Sequence, residues 1–320
     1  MPRSSYLLFV LCGVLLSCAG IPTQNDRYRR LENSSHQSAR FASQQQRAYH
    51  VASTPIPKSV FPTNLPPARA ESLIVIDANS GETLAQKNAD TRRAVASTQK
   101  LLTALVVLDH GNINRRVVIQ PEDTRVEPSK LYLKAGDVYS RRELLKGILI
   151  KSANDGAMAL ARDVAGSVPA FARLMNQKAR QLGALHSNFI NPHGLTRSGQ
   201  YSTARDMARI AYVASRNPFI RQTVDQETYT FNTPRGPKHL KNTNKLLTRM
   251  GACTGMKTGY TRASGRCLIT SASLGRRQVI LVQLGSETKY IFDDAERLMN
   301  WSSNQRGLRR GSFAVTPLTH

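Results

Sequence analysis

Apolar positions change their spacing along the chain. Leu73-Ile74-Val75-Ile76 is an unbroken apolar run of strand length. The turn residues Asn79-Ser80-Gly81-Glu82 follow, then Thr83-Leu84-Ala85, and together they predict a hairpin. From Ser97 to Asp109 the spacing becomes helical, with Leu101, Leu102, Leu105 and Leu108 on one face. Further helical runs are predicted over 141–151, 155–164, 171–182 and 203–215. Short apolar or alternating runs return at 253–260, 266–273 and 278–285, and an amphipathic helix over 291–301 closes the pattern. No internal repeat is present. Strands at both ends with helices between them predict an α+β fold, in which the first and last segments pair in an antiparallel sheet and the helices form an insertion.

The flanks read differently. Arg3 precedes an apolar run from Tyr6 to Leu16, too short to span a bilayer permanently and of the type that directs export. It ends Leu15-Leu16-Ser17-Cys18-Ala19, which resembles a bacterial lipobox, so residues 1–17 are expected to be a signal peptide and Cys18 the site of lipidation. Residues 18–69 are rich in Gln, Ser, Asn and Pro and read as a tether between that lipid and the folded body. A catalytic domain is expected over 70–302, and 303–320 forms a basic tail with Arg306, Arg309 and Arg310.

The net charge of +24 implies attraction to anions. Export, together with the lack of zinc-finger spacing, an RNA-binding aromatic motif or a Gly-rich phosphate loop, turns the reading away from nucleic acid and toward membrane surfaces or acidic wall polymers. Beyond Cys12 and Cys18 of the export signal, only Cys253 and Cys267 remain. A disulfide across neighbouring strands and two buried free thiols both stay open.

Three short motifs carry candidate chemistry. In Ser97-Thr98-Gln99-Lys100 the hydroxyl and amine lie three residues apart at a helix start, hence on one face. A lysine whose pKa is lowered there can take the serine proton. Ser152-Ala153-Asn154 sits at a break between two helices, where a hydroxyl can relay a proton and an amide can hold lysine and substrate. Lys257-Thr258-Gly259 lies in a strand and offers a cation, a hydroxyl donor and a position without a side chain, so that a substrate backbone can add to the edge. The amide of Tyr260 could share an oxyanion hole with that of Ser97. Each motif alone has an ordinary structural explanation, such as Ser97 capping its helix or Asn154 or Asp155 capping the next.

Their order and spacing match the Ser-x-x-Lys, Ser-x-Asn and Lys-Thr-Gly set. From about Ser72 to Trp301 the chain resembles the low-molecular-mass penicillin-binding proteins, D-alanyl-D-alanine carboxypeptidases and endopeptidases. The stretches "SKLYLKAGDVYSRRELLKGILIKSANDGAMALA", "NFINPHGL", "YSTARDMARIA" and "CTGMKTGYTRASGRCLITSA" carry the likeness. The resemblance implies a five-stranded antiparallel sheet flanked by helices beside a mainly helical subdomain, with the site between them. It implies Ser97 as acyl-enzyme nucleophile, Lys100 as general base, Ser152 as proton relay and Asn154 as the orienting amide. It also implies Lys257 and Thr258 as partners of the substrate carboxylate, Gly259 as the open edge, and Tyr260 as second oxyanion donor through its backbone. Peptidoglycan stem peptides are then the substrate and β-lactams the inhibitors. No cofactor and no metal is assigned.

Several residues weigh against rival readings. His193 and Asp206 invite a Ser-His-Asp triad, but Lys100 already supplies a base, so both are read as structural, Asp206 at a helix start. A class A β-lactamase would carry Glu-x-x-Leu-Asn between the second and third motifs. The near match Glu296-Arg297-Leu298-Met299-Asn300 lies beyond Lys257, and Ala153 stands where β-lactamases usually have Asp. A non-catalytic wall-binding module would not be expected to keep all six polar motif residues. With so little sequence after Trp301, the second β-rich domain and C-terminal anchor of many carboxypeptidases are not expected, and an N-terminal lipid is expected to replace that anchor.

Overall fold

A computed structural model describes residues 65–304 and the two-residue strands His50–Val51 and Val315–Thr316, which pair antiparallel. The expected signal peptide, Cys18, the tether up to residue 64 apart from His50–Val51, and most of the basic tail lie outside the described residues.

The hairpin expected near Ser72 forms from β1 (Ser72–Asp77) and β2 (Thr83–Lys87). Three long strands follow the helical region: β7 (Cys253–Thr261), β8 (Gly265–Leu274) and β9 (Arg277–Ser286). They join the hairpin in one antiparallel five-stranded sheet of order β2-β1-β9-β8-β7. The first and last segments meet where Val75 pairs with Leu281 and Ile74 with Val282.

Successive strand residues point to opposite faces, which explains why the run Leu73–Ile76 is apolar throughout. Ile74 and Ile76 enter one core with the central helices. Leu73 and Val75 enter a second core with Ile291, Ala295, Leu298 and Met299 of the closing helix α9 (Ile291–Ser302). Leu65 and Ala68 pack against that second core, and Arg69 N–H donates to Asp294 Oδ2 at 2.7 Å.

The helical insertion contains α1 (Lys100–Asp109), α3 (Arg141–Ile150), α4 (Asn154–Ala165), α5 (Val168–Gln181), α6 (Ala204–Arg216) and α7 (Pro218–Val224), with the one-turn helix α2 (Pro121–Thr124) before α3. Helix α1 is buried from Lys100 to Val107 because α3, α4, α5 and α6 all pack on it, so its pattern is apolar on every side rather than on one face. Two ladders were not expected from the pattern: β3 (Arg116–Val118) with β4 (Val138–Ser140), and β5 (Thr228–Thr233) with β6 (Gly236–Lys241). In β5 and β6 only Phe231 and Leu240 are buried, leaving no alternating apolar face to read. The last one-turn helix is α8 (Leu246–Arg249).

Candidate active site

The chain enters α1 through a 3₁₀ turn, Ala96–Gln99, so Ser97 does not cap an α-helix: no side-chain cap bond exists there. Ala96 has φ of +49°. The turn is wedged between two glycines. A Cβ on Gly194 would lie 2.1 Å from Ala96 O, and one on Gly259 would lie 2.8 Å from Ser97 N. Neither position tolerates a side chain without displacing the backbone of Ala96 and Ser97.

Lys100 is fully buried and central. Its Nζ lies 2.8 Å from Ser97 Oγ, 2.7 Å from Asn154 Oδ1 and 2.6 Å from His193 O. Both carbonyl oxygens can only accept, so a neutral amine places its two N–H bonds on Asn154 and His193 and turns its lone pair to Ser97. Burial, then the nearby Lys257 cation, hold the Lys100 pKa well below its usual value, against a smaller opposing pull from Asp155. The neutral form is the one that can take the serine proton.

Asn154 is held from its other end, where Nδ2 donates to Glu127 O at 2.8 Å and the backbone N–H donates to Ser129 O at 2.7 Å. Neither Asn154 nor Asp155 caps α4, whose N-cap is Ala153. Asp155 is fully buried and accepts from the amides of Leu131 and Leu133 at 3.0 and 3.2 Å, pinning the loop that carries Ser129. Ser152 stands in the turn just before, buried, with φ of +65°. Asn88, Ala96, Tyr132 and Met256 share this left-handed region, which is uncommon for non-glycine residues.

On β7, Lys257 is also fully buried and its Nζ donates to Thr258 O at 2.9 Å. Burial pulls its pKa down to about 7. Thr258 Oγ1 donates to Thr243 Oγ1 at 2.7 Å. β7 is the edge strand of the sheet. Tyr260 is exposed, with the Arg266 guanidinium 4.5 Å from its ring centroid. Ser97, Lys100, Asn154, Lys257 and Gly259 therefore meet where the edge strand approaches the helical insertion, while Ser152, Thr258 and Tyr260 adjoin them along the chain.

His193 holds the site through its backbone. Its carbonyl receives Lys100 Nζ at 2.6 Å and lies 3.2 Å from Ser97 Oγ. The imidazole Nδ1 accepts from Leu195 N–H at 3.1 Å, and burial, then the Lys100 and Arg197 cations, lower its pKa to about 3. The ring stays neutral, with Nδ1 occupied as the acceptor for Leu195 N–H. Around it, Gln99 Nε2 donates to Asn191 O at 2.5 Å and Thr103 Oγ1 to Pro192 O at 2.7 Å, tying the loop to α1. Asp206 sits in the first turn of α6, capped by Thr203, and binds His186 N–H, Ser187 Oγ–H and Arg209, in keeping with a structural part. No sequence pattern marks the carbonyls of His193 and Glu127 or Thr243, because backbone acceptors and distant neighbours leave no motif; only the Pro-His-Gly turn hints at the first.

Cys253 and Cys267 are buried free thiols. They lie on neighbouring strands, but Cys253 pairs with Ala272 and Cys267 with Gly259, six positions further along β7 and roughly 20 Å away. No disulfide can bridge that gap.

A family model described as D-alanyl-D-alanine carboxypeptidase matches residues 59–288. The chain belongs to that family. A D-alanyl-D-alanine carboxypeptidase of Bacillus subtilis is 33% identical over 68% of this chain and 58% of its own length. A D-alanyl-D-alanine endopeptidase of Escherichia coli is 32% identical over 74% of this chain and 78% of its own. The crystal structure of a D-alanyl-D-alanine carboxypeptidase from Mycobacterium tuberculosis superposes with a TM-score of 0.73 at 32% identity, covering 76% of this chain and 95% of that one. The chain thus spans less than two thirds of the Bacillus relative. Among the described residues no helix is long and apolar enough to cross a membrane.

Proposed function

We propose that this chain is a serine D-alanyl-D-alanine carboxypeptidase that trims peptidoglycan stem peptides through an acyl-enzyme on Ser97. The observation that carries the reading is Lys100 Nζ, buried and 2.8 Å from Ser97 Oγ, with both its N–H bonds committed to fixed carbonyls. Lys100 accepts the Ser97 proton as Oγ attacks the carbonyl of the penultimate D-Ala. The amides of Ser97 and Tyr260 stabilise the oxyanion. Ser152 returns a proton to the departing amine, and Asn154 orients the acyl part. Lys257 and Thr258 take the terminal carboxylate, and Gly259 leaves the strand edge clear. Water then hydrolyses the ester. A β-lactam enters by the same attack and, with no deacylating Glu motif between the second and third motifs, remains bound as an inhibitor.

Family membership supports a protein exported to act on the cell wall. We read Cys18 as a lipidated N-terminus that tethers a catalytic domain over 70–302 to a bacterial membrane; the lipobox-like Leu15–Cys18 supports this. Intact mass of the mature protein is expected to include an acyl-modified Cys18, and an unmodified N-terminus elsewhere would remove the anchor. A second reading, cleavage of cross-links, has support in the endopeptidase relative and in the cleft beside the crevice.

The test is covalent labelling by a fluorescent penicillin, followed by digestion of purified muropeptides. Ser97→Ala is expected to lose all labelling while remaining folded, and equal labelling would remove Ser97 from the mechanism. Release of free D-Ala marks the carboxypeptidase; conversion of dimers to monomers marks the endopeptidase.

A further inference from the structure

A half-open cleft of about 780 Å³ adjoins the crevice on the side of His193. Its walls carry the cations Arg125, Lys130 and Arg197 and a single acid, Glu127. Arg125 and Arg197 are exposed, and neither forms an ion pair among the described residues, whereas the buried arginines elsewhere do. The end of β7 closes one side, where Thr196 Oγ1 donates to Thr261 Oγ1 at 3.0 Å.

The position of this cleft along β7 says which part of a substrate reaches it. Ser97 N stands against Gly259. Lys257 is two residues to one side and Thr261 two residues to the other, each about 7 Å along the strand. A stem peptide whose terminal carboxylate sits at Lys257 and Thr258 has its scissile carbonyl beside Gly259. Everything N-terminal to that carbonyl must run past Thr261, the acyl side that stays on Ser97 after the terminal D-Ala leaves.

We propose that the cleft is a subsite for this acyl side and selects a donor carrying a free carboxylate, with Arg197 and Arg125 as its partners. The inference rests on the DD-peptidase reading above and adds a substrate preference to it. Arginine is suited to the role because its planar fork binds carboxylate through two parallel N–H bonds. Glu127 offsets one of the three positive charges and leaves an excess of two.

The test uses three peptides ending in Lys-D-Ala-D-Ala whose lysine Nε is succinylated, acetylated or free, giving a carboxylate, a neutral amide or an ammonium. Release of D-Ala by the full chain is expected to show kcat/KM for the succinyl peptide about tenfold or more above that for the acetyl peptide, with the ammonium peptide lowest. In the double variant Arg125→Gln, Arg197→Gln the succinyl-to-acetyl ratio is expected to fall to within twofold, and Arg125→Lys, Arg197→Lys is expected to keep part of it. Labelling of Ser97 by penicillin verifies that each variant is folded. A wild-type ratio near one, or a ratio that survives in the double Gln variant, overturns the subsite while leaving the DD-peptidase reading intact. Absence of D-Ala release from all three peptides, with Ser97 unlabelled, overturns both.

Discussion

Two regions of this molecule bury cations in opposite ways. Among the helices and at the hairpin, a buried cation meets an acid. Arg141 Nε lies 2.6 Å from Asp163 Oδ2, and Arg205 Nε lies 2.6 Å from Asp90 Oδ1. In the crevice, Lys100 and Lys257 are more deeply buried than either arginine, yet their hydrogen-bond partners are neutral oxygens: carbonyls, an amide and a hydroxyl. The one acid near Lys100, Asp155, spends its oxygens on backbone amides. Pairing keeps a guanidinium charged, because the partner charge offsets its lost hydration. Withholding the partner makes the neutral amine the favoured form. The difference separates paired cations that hold the architecture from unpaired lysines whose charge can change, and lysine rather than arginine occupies the second place because only its pKa can fall that far.

The largest expected effect comes from removing Lys100, the proposed base. Lys100→Met, which retains most of the buried stem, is expected to slow penicillin acylation of Ser97 by about 1,000-fold or more, or about 4 kcal/mol in barrier. Near-normal stopped-flow labelling would give the base to another group. Next is the paired region. Asp163→Asn leaves Arg141 buried without a counter-charge and is expected to cost about 3 kcal/mol in urea unfolding, with labelling per folded molecule unchanged. A loss below 0.5 kcal/mol would erase the contrast between the regions.

Lys257 sharpens the comparison from the other side. Its folded pKa of about 7 lies below that of the unfolded chain, near 10.5. Between those values the unfolded chain binds the extra proton, so stability is lowest below pH 7 and rises with pH toward 10.5. Lys257→Met is expected to stabilise the protein at pH 7 by about 2 kcal/mol and to flatten part of that rise, while raising KM for a carboxylate-terminated peptide. An unchanged unfolding profile between pH 7 and 10 would show that the lysine carries no such cost. In the wild type, kcat/KM is expected to fall as pH rises above about 7, where free-enzyme Lys257 loses its charge, and to fall at low pH as Lys100 becomes protonated. The smallest effect is expected for His193→Gln, at most about tenfold in acylation, because the backbone carbonyl of residue 193 remains and its imidazole is already neutral. A loss as deep as that of Lys100→Met would restore a histidine to the chemistry.

Much of this protein was legible before any coordinates. The period of its apolar residues marked the hairpin, the three closing strands and the six longest helices, because each buries a continuous face whose spacing repeats locally. The serine, two lysines, the Ser-x-Asn turn and the open glycine were legible too, since their chemistry depends on residue type at short range. Tertiary structure alone decided the rest. It made Ser97 a 3₁₀ residue wedged by Gly194 and Gly259, contacts 97 and 162 residues apart in sequence that no local pattern encodes. It chose the His193 and Glu127 carbonyls as fixed acceptors, kept Cys253 and Cys267 apart by strand register, and withheld an acid from two buried lysines. Sequence names the reacting groups, but burial and the direction of neighbouring dipoles set their protonation, and those exist only once distant segments have packed.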